Sequence, residues 1–238
     1  MKSYRELFWI VPMMALLLIL GQAAIGTSQA KSAQCQNNLK QFGAALAMYQ
    51  ADYNDYNCYG YRENYVFKGQ RLTFAMMLGI YMGCTDLQGP FLRQYSNVKP
   101  KVNDAFICPE TVTEDNSAEG GWRMSYIANS TYPEKSSPHV GYFGGQNYCD
   151  SARITQVKKP AETGAVFDRA AKRQHAVFCM SWGKTFTTAE SLQQLFPQRH
   201  EGKDNILYFD GHAGAVTFKL PVSKWHPAFG LTGIDLKK

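Results

Sequence analysis

Histidine and aspartate residues in the last third of the chain have side chains that could do acid–base or metal chemistry. They are Asp168, His200, Asp210 and His212. An imidazole beside a carboxylate can exchange protons or hold a divalent cation. The same residue types also form turns and satisfy backbone groups at chain ends. The spacing between these residues therefore decides which interpretation the sequence favours.

The spacing of His200 and Asp210 argues against a shared ion. Residues 205–209 read as a strand, and a strand of that length separates its ends by about 16 Å. Ligand bonds to zinc or calcium are only about 2.0 to 2.6 Å long. Unless residues 201–204 fold back, the two side chains cannot hold one ion. We therefore predict no metal and no cofactor, with Asp210-Gly211 as a hairpin turn and His200 bonded to backbone at the start of the strand.

Catalytic sequence motifs give no further support for an enzyme. The chain contains no Gly-x-Ser-x-Gly, no His-Glu-x-x-His and no phosphate-binding loop. These motifs place a nucleophile, a metal-bound water or a phosphate in a defined local structure. The sequence predicts a protein that is not an enzyme.

The six cysteines lie at positions 35, 58, 84, 108, 149 and 179. None forms a Cys-x-x-Cys pair and none stands near a histidine at the spacing of a zinc motif, which disfavours structural zinc. An even number of cysteines in an exported chain suggests disulfides, although spacing does not give their connectivity. Free buried thiols are the alternative, because unpaired cysteine is among the most buried residue types.

An apolar run from Leu7 to Ala30 opens the chain. About 20 such residues are enough to cross a bilayer as a helix. Lys2 and Arg5 before the run, and the small residues near Ala30, also fit a cleavable signal peptide. Either interpretation predicts export. We divide the chain into an anchor or signal-like helix, residues 1–30, and a head domain, residues 31–238.

The next segment has the periodicity of a helix with one apolar face. The apolar positions are spaced 4-3-4-3-4 and lie on one stripe: Cys35, Leu39, Phe42, Leu46, Tyr49 and Tyr53. Polar residues occupy the opposite face: Lys31, Gln34, Gln36, Asn37, Lys40 and Gln50. We predict one helix from about Leu7 to Tyr53, with Leu39, Phe42 and Leu46 buried against a sheet.

The composition of the head favours strands and turns. The chain has 14 Tyr, 14 Phe and 4 Trp, with Gly, Asn, Ser and Thr between short apolar runs. We predict a short helix at 72–82 and a surface loop at 129–148, with strands at 106–109, 123–128, 163–168, 176–180, 205–209 and 212–218. The apolar residues of 205–209 leave no polar face, which predicts a central strand covered on both sides. The net charge of +6 is dispersed, so we predict no nucleic-acid partner.

Four stretches of this chain resemble the prepilin-like proteins, which are related to type IV pilins and type II secretion pseudopilins. A His, nine residues and Asp-Gly, here His200 and Asp210-Gly211, are the C-terminal mark of that family. The other stretches are residues 35–43 with Met48-Tyr49 and Asp52, then 106–109, then Pro160-Ala161-Glu162-Thr163 leading to Phe167-Asp168. Together they span nearly the whole chain.

The resemblance implies an α+β pilin-like fold, with a long N-terminal helix that lies half in the membrane and half on an antiparallel β-sheet head. It also implies a single-pass protein of the bacterial inner membrane. Its head would be exported to the periplasm or cell surface, and it would assemble with other pilin-like subunits. Cys35 and Cys108 lie in the shared stretches, so we predict that one or both form a disulfide. His200, Asp168, Asp210 and Gly211 are then structural motif residues.

The N-terminus departs from the family pattern. Family members carry Gly before the cleavage point and then Phe-Thr-Leu-Ile-Glu, whereas this chain matches only at Glu6. The Glu6 carboxylate can pair with the amino terminus of a neighbouring subunit. The alternative is that Glu6 is an ordinary charge flanking the apolar run and has no role in assembly. An exported, anchored binding module is the second functional interpretation, with an aromatic loop at 132–148 that stacks on carbohydrate or peptide.

Overall fold

A computed structural model describes residues 3–67, 70–84, 104–113, 125–130, 139–144, 149–169, 177–178 and 196–218. It describes only the backbone of residues 3–27, 61–67, 70–72, 104, 112–113, 139–141, 149 and 177–178. The predicted anchor at residues 1–30, Glu6 included, falls mostly on residues whose side chains lie outside this description.

The helices are α1 (Ser3–Asp52) and α2 (Phe74–Tyr81). The strands are β1 (Tyr61–Phe67), β2 (Gln70–Thr73), β3 (Tyr126–Asn129), β4 (His139–Gly141), β5 (Cys149–Ser151), β6 (Gly164–Asp168), β7 (Val177–Phe178), β8 (Asp204–Tyr208) and β9 (Ala213–Val216). Short 3₁₀ turns occupy Asp104–Phe106, Pro109–Thr113 and Ile154–Gln156.

The main sheet has the strand order β7-β3-β6-β8-β9. The pairs β3–β6, β6–β8 and β8–β9 are antiparallel, and the two-residue β7 pairs in parallel with the outer side of β3. Helix α1 packs across this sheet. The predicted α+β class, a long N-terminal helix on an antiparallel sheet, is confirmed.

The apolar stripe of α1 is the main contact between helix and sheet. Cys35, Leu39 and Phe42 have no exposed surface, and Leu46 is 3% exposed. The predicted burial of Leu39, Phe42 and Leu46 is therefore confirmed. The helix ends at Asp52, one residue before the predicted end.

Three residues of the predicted helix faces are placed differently from expectation, and one of them, Gln36, is predicted on the polar face but bonds to Asn205 of the sheet. Tyr53 lies beyond the last turn of α1 and is 51% exposed, because the left-handed residues Asn54 and Asp55 turn the chain away there. Gln50 is predicted on the solvent face but is buried. Its Nε2 donates to Asn57 Oδ1 at 2.7 Å, so a local polar partner compensates for its burial.

Strand β8 is central, as predicted. It lies between β6 and β9, and its residues Asp204 to Leu207 have no exposed surface. One face meets α1, where Gln36 Nε2 donates to Asn205 Oδ1 at 3.0 Å. A Cβ added at Gly43 of the helix would lie 2.9 Å from Leu207 Cδ1. This close approach shows why α1 carries glycine where it crosses the hairpin.

The β8–β9 hairpin has a different turn from the one predicted. A two-residue turn would need positive φ at both Asp210 and Gly211, but only Gly211 has it, with φ of 91°. Gly211 N donates to Tyr208 O, and Tyr208 N donates to His212 O. Residues 209–211 therefore form a three-residue loop in which glycine takes the left-handed position.

Gly211→Val is expected to lower the free energy of unfolding by about 1–3 kcal/mol, because a β-branched residue is strained at this φ. Nothing lies within 4 Å of the added Cβ, so the cost is in the backbone. Gly211→Asn is the matched control, since Asn tolerates the left-handed region. Chemical unfolding of the full chain measures both. Equal losses for Val and Asn would contradict the prediction, and Asp210→Asn should be mild.

Several segments of the head were predicted wrongly. Residues 106–109 do not form a strand but lie at the junction of two 3₁₀ turns, with Phe106 and Cys108 buried. Residues 58–70 have no clear sequence period, so no helix or strand is predicted there, but residues 61–67 and 70 belong to the antiparallel β1–β2 hairpin. The expected surface loop 129–148 places Tyr142 and Phe143 in the core, against Phe209. Residues 131–138 and 145–148 of that loop lie outside the described residues.

Among the residues whose side chains the structure describes, which in α1 begin at Ser28, no helix is long and apolar enough to cross a bilayer.

Candidate functional site

Four buried side chains with metal-ligating or nucleophilic groups meet beneath α1. They are Cys35, Cys108, Asp168 and His200, and one side-chain donor atom from each lies within 4.8 Å of all the others. The most exposed of the four, His200, shows only 2% of its surface. The cluster thus forms a polar centre inside the core of the head.

The positions of Cys35 and Asp168 follow from helix and strand geometry. Cys35 is four residues before Leu39 and seven before Phe42, so all three point from α1 to the sheet. Asp168 is the last residue of β6, two residues beyond the buried Val166, and shares its face. The start of the sheet-packed half of α1, at Cys35, therefore lies against the end of β6, at Asp168.

The other two side chains, those of Cys108 and His200, lie in irregular segments. Cys108 lies between the two 3₁₀ turns, where Asn38 of α1 donates to Ile107 O at 3.0 Å. His200 precedes β8 in a tight turn, in which His200 N donates to Lys203 O. Glu201 and Gly202 take left-handed φ values of 56° and 80° in this turn. This turn reverses the chain before β8. The His200 side chain therefore reaches Asp168 at the end of the neighbouring strand β6.

The Asp168 carboxylate is the hub of the polar contacts. Its Oδ2 is 3.0 Å from His200 Nε2, and its Oδ1 accepts from Arg199 Nη1 at 3.1 Å. Arg199 also donates from Nη2 to Arg169 O at 2.6 Å. One buried carboxylate therefore faces a guanidinium and an imidazole.

The two sulfurs lie on the other side of this hub. Cys108 Sγ is 3.3 Å from His200 Nε2, and Cys35 Sγ is 3.9 Å from Asp168 Oδ2. The hydroxyl of Tyr126 on β3 lies 3.4 Å from Cys35 Sγ. The polar contacts thus connect α1, β3, β6, the 3₁₀ turns and the start of β8.

Mutual hydrogen bonds set the charge states of the cluster. The bond with the Cys108 thiol is the largest influence and, with that to His200, lowers the pKa of Cys35 to about 6 although burial opposes this. The bond to Cys35, together with burial, raises the pKa of Cys108 well above its usual range. Burial by itself would lower the pKa of His200, but hydrogen bonds to Asp168 and Cys35 raise it to about 10. These opposite shifts favour a thiolate at Cys35 beside a protonated His200 when no metal is bound.

Two kinds of chemistry can be compared with this geometry. A thiolate beside an imidazole is the arrangement of a cysteine nucleophile. A nucleophile must reach substrate, and Cys35 and Cys108 have no exposed surface. Two sulfurs, an imidazole nitrogen and a carboxylate oxygen are also donors that a transition metal can use. The burial of the cluster suits metal binding and cross-linking of the fold better than turnover.

The sequence-predicted site residues fall into two groups. His200 and Asp168 come together, and the His200 amide bonds to backbone as predicted, while its ring bonds to a carboxylate that was not predicted as its partner. Asp210 belongs to the hairpin loop, where its Oδ1 is 2.6 Å from His212 Nδ1. It takes no part in the buried cluster.

The expected disulfide is absent from the structure, which has Cys35 and Cys108 as unbridged thiols. Sequence reasoning missed their meeting with His200 and Asp168, and it also missed Arg199 and Tyr126. One signal could have found the cluster. Each of the four stretches that carry the family resemblance contributes one of its members: Cys35, Cys108, Asp168 and His200.

Comparison with protein families identifies one match. Residues 28–78 match a family described as "Protein of unknown function (DUF1559)", and this family is associated with pilin-like, prepilin-type proteins. The match covers the sheet-packed half of α1, the β1–β2 hairpin and the first part of α2. It includes Cys35 but not the other cluster residues. Comparisons with curated proteins and with solved structures give no match.

Asp204, at the start of β8, is a second buried carboxylate near this site. Its Oδ1 accepts from Gln198 N at 2.7 Å, and Oδ2 has no hydrogen-bond partner within the described residues. Burial, followed by the charge of Asp168, raises the pKa of Asp204 from 3.8 to about 8. The folded chain therefore binds more protons than the unfolded chain between these two values, so this group lowers stability as pH rises from about 4 to about 8.

Asp204→Asn is expected to stabilise the protein relative to wild type at pH 8 more than at pH 5, because the amide carries no charge to bury and keeps the acceptor for Gln198 N. Chemical unfolding of the full chain at both pH values measures the difference. Asp150→Asn, at an exposed position, is the control. A difference between variant and wild type that is the same at both pH values would refute the prediction.

Proposed function

We propose that this chain is a pilin-like protein of the bacterial cell envelope, with a structural or assembly role. The N-terminal part of α1 would lie in the inner membrane and the head would be exported. The observation that carries the proposal is the single helix Ser3–Asp52, whose C-terminal half packs on an antiparallel sheet. The sequence resemblance implies the same arrangement, with one half of the helix in the membrane and the other half packed on the head.

Helix length supports this arrangement. The 50 residues of α1 correspond to about 75 Å, at 1.5 Å per residue. Side-chain contacts from α1 to the sheet begin near Ser32, to which Asn205 Nδ2 donates. The residues before it correspond to about 40 Å of helix and include the apolar run from Leu7. The hydrocarbon core of a bilayer is about 30 Å thick.

The family match at residues 28–78 supports the same class of function. We extend it to a role in a type II secretion or type IV pilus-like system, with other pilin-like subunits as partners through the apolar helices. Glu6 would pair with the amino terminus of a neighbouring subunit. The aromatic-loop binding module is not favoured, because Tyr142 and Phe143 are buried in the core.

Membrane fractionation tests the anchor. We expect the full chain, expressed in a bacterial host, to stay in the membrane pellet after a carbonate wash and to dissolve in detergent. Leu17→Arg, in the centre of the apolar run, should weaken retention, because a central arginine costs about 2.5–3.5 kcal/mol on insertion. Met48→Arg is the matched control, since Met48 lies on the exposed face of the same helix. A soluble mature chain that starts near Lys31 would overturn the proposal.

Cross-linking tests the assembly. We expect membranes with the full chain to give cross-linked dimers and higher species, and Glu6→Gln to reduce them while the chain stays in the membrane. A chain that remains monomeric at every cross-linker concentration would refute the assembly role and leave the anchor intact.

A further inference from the structure

We propose that Cys35, Cys108, Asp168 and His200 form a structural zinc site that fastens α1 to the sheet and to the 3₁₀ turns. The proposal does not depend on the envelope function. It rests on the positions, types and charges of the four buried donors.

The separations of the donor atoms match a tetrahedral ion. Zinc bonds of about 2.0–2.3 Å place neighbouring ligand atoms about 3.3–3.8 Å apart. His200 Nε2 is 3.0 Å from Asp168 Oδ2 and 3.3 Å from Cys108 Sγ, and Cys35 Sγ is 3.9 Å from Asp168 Oδ2. No pair of the four donor atoms is more than 4.8 Å apart. Shifts of a few tenths of an ångström to about one ångström would complete the site.

The donor types select zinc among the common cations. Calcium and magnesium take oxygen ligands, which disfavours a site with two sulfurs. Zinc is bound by thiolate, imidazole and carboxylate, and its structural sites have four protein ligands with no open position. Four buried donors meet that description. A catalytic zinc would need a fourth position open to water, which a full set of four protein ligands does not leave.

A neighbouring cation compensates the negative charge of the site. Two thiolates and one carboxylate carry three negative charges, and Zn²⁺ leaves a net charge of minus one. Arg199, with 5% of its side chain exposed, supplies the compensating positive charge through its 3.1 Å bond to Asp168 Oδ1. That bond leaves Oδ2 for the ion and fixes the carboxylate, as outer-shell partners of metal ligands do.

A bound ion would also give His200 Nε2 a better partner than the protein alone provides. His200 Nε2 faces both a carboxylate oxygen at 3.0 Å and a sulfur at 3.3 Å, and one N–H cannot bond well to both. Binding releases the Cys108 thiol proton and one proton of the His200 imidazolium to solvent, because Cys35 already favours the thiolate, and it changes no oxidation state. The four ligands come from distant positions in the chain, so the ion would stabilise the folded head.

Metal analysis of the full chain, purified in detergent under reducing conditions without added metal, tests the site. We expect about one zinc per chain, and chelator should lower the Tm, with recovery on adding zinc but not magnesium or calcium. Cobalt titration of the chelated protein should give a sulfur-to-cobalt charge-transfer band. A chelated protein that gives no such band and takes up no zinc would overturn the proposal.

Cysteine variants localise the ion. Cys108→Ser is expected to weaken zinc binding by more than about tenfold, which is already the effect of losing an outer-shell partner. Cys58→Ser is the matched control, because Cys58 is an equally buried free thiol outside the cluster, and it should bind zinc like wild type. Unchanged zinc affinity in Cys108→Ser would refute the assignment.

Should Cys108→Ser fail to fold, the chelator and cobalt measurements on wild type decide the question alone. Mass mapping of the cysteines under non-reducing conditions, on protein from its native host, shows whether Cys35 and Cys108 are free thiols or form a disulfide. Zinc with free thiols supports the site, whereas a Cys35–Cys108 disulfide would overturn it.

Discussion

Phe42→Ala is expected to lower the free energy of unfolding of the full chain by about 3–5 kcal/mol, the usual cost of removing a buried aromatic ring. Phe42 has no exposed surface. Its ring centroid lies 5.2 Å from Phe106, 5.5 Å from Tyr126 and 6.0 Å from Phe74. These partners belong to a 3₁₀ turn, to β3 and to α2. One ring from α1 thus joins three separate parts of the head, and alanine would leave a cavity where they meet.

Chemical unfolding of wild type and variant measures this loss. Met48→Ala is the control, because Met48 lies on the same helix but is 54% exposed, and it should change stability by less than about 0.5 kcal/mol. A loss below half a kcal/mol for Phe42→Ala would mean that this face of α1 is not packed on the head in solution. The control separates packing from any effect on the helix itself.

Local periodicity made the elements around this ring predictable. The stripe through Cys35, Leu39 and Phe42 repeats with the period of a helix, and a helix with one apolar face must bury it. The short apolar run at 205–209, which has no polar face, predicted that β8 is a central strand covered on both sides. The amphipathic pattern also predicted α2. These features depend on neighbours in sequence, which a single chain displays.

Contacts between distant positions were not predictable in this way. The burial of Gln50 depends on Asn57, which lies beyond the end of the helix. The strand predicted at 106–109 failed because a short apolar run fits a buried 3₁₀ junction equally well. The hairpin turn failed because Asp-Gly is compatible with both a two-residue and a three-residue loop. In each case a tertiary contact or a backbone angle chose between local alternatives.

The buried cluster shows this limit most clearly. Its members come from α1, a 3₁₀ junction, the end of β6 and a turn before β8, so no local spacing resembles a zinc motif. The sequence argument compared His200 with Asp210, ten positions away, when the nearest carboxylate in space is Asp168 on the adjacent strand. Strand pairing, which places β6 beside β8, was the missing information.

Asp168→Asn is expected to destabilise the full chain by about 3–5 kcal/mol, even in the presence of chelator. The carboxylate faces Arg199 and His200, whose side chains are 5% and 1% exposed. Removing its charge leaves Arg199 buried beside a neutral amide, and breaking one partner of a buried ion pair costs about this much. The comparison with Asp150→Asn, an exposed carboxylate, removes any general effect of lost negative charge.

A second substitution separates the ion pair from simple packing. Arg199→Met in the Asp168→Asn background should recover part of the lost stability, because an apolar side chain of similar length no longer needs a counter-ion. The double-mutant cycle should give a coupling of about 0.5–3 kcal/mol, as for residues in one network. Additive losses would mean that the pair is not coupled, and that Asp168 acts through shape alone. Because the unfolding is measured with chelator, a coupling found this way belongs to the protein and not to a bound ion.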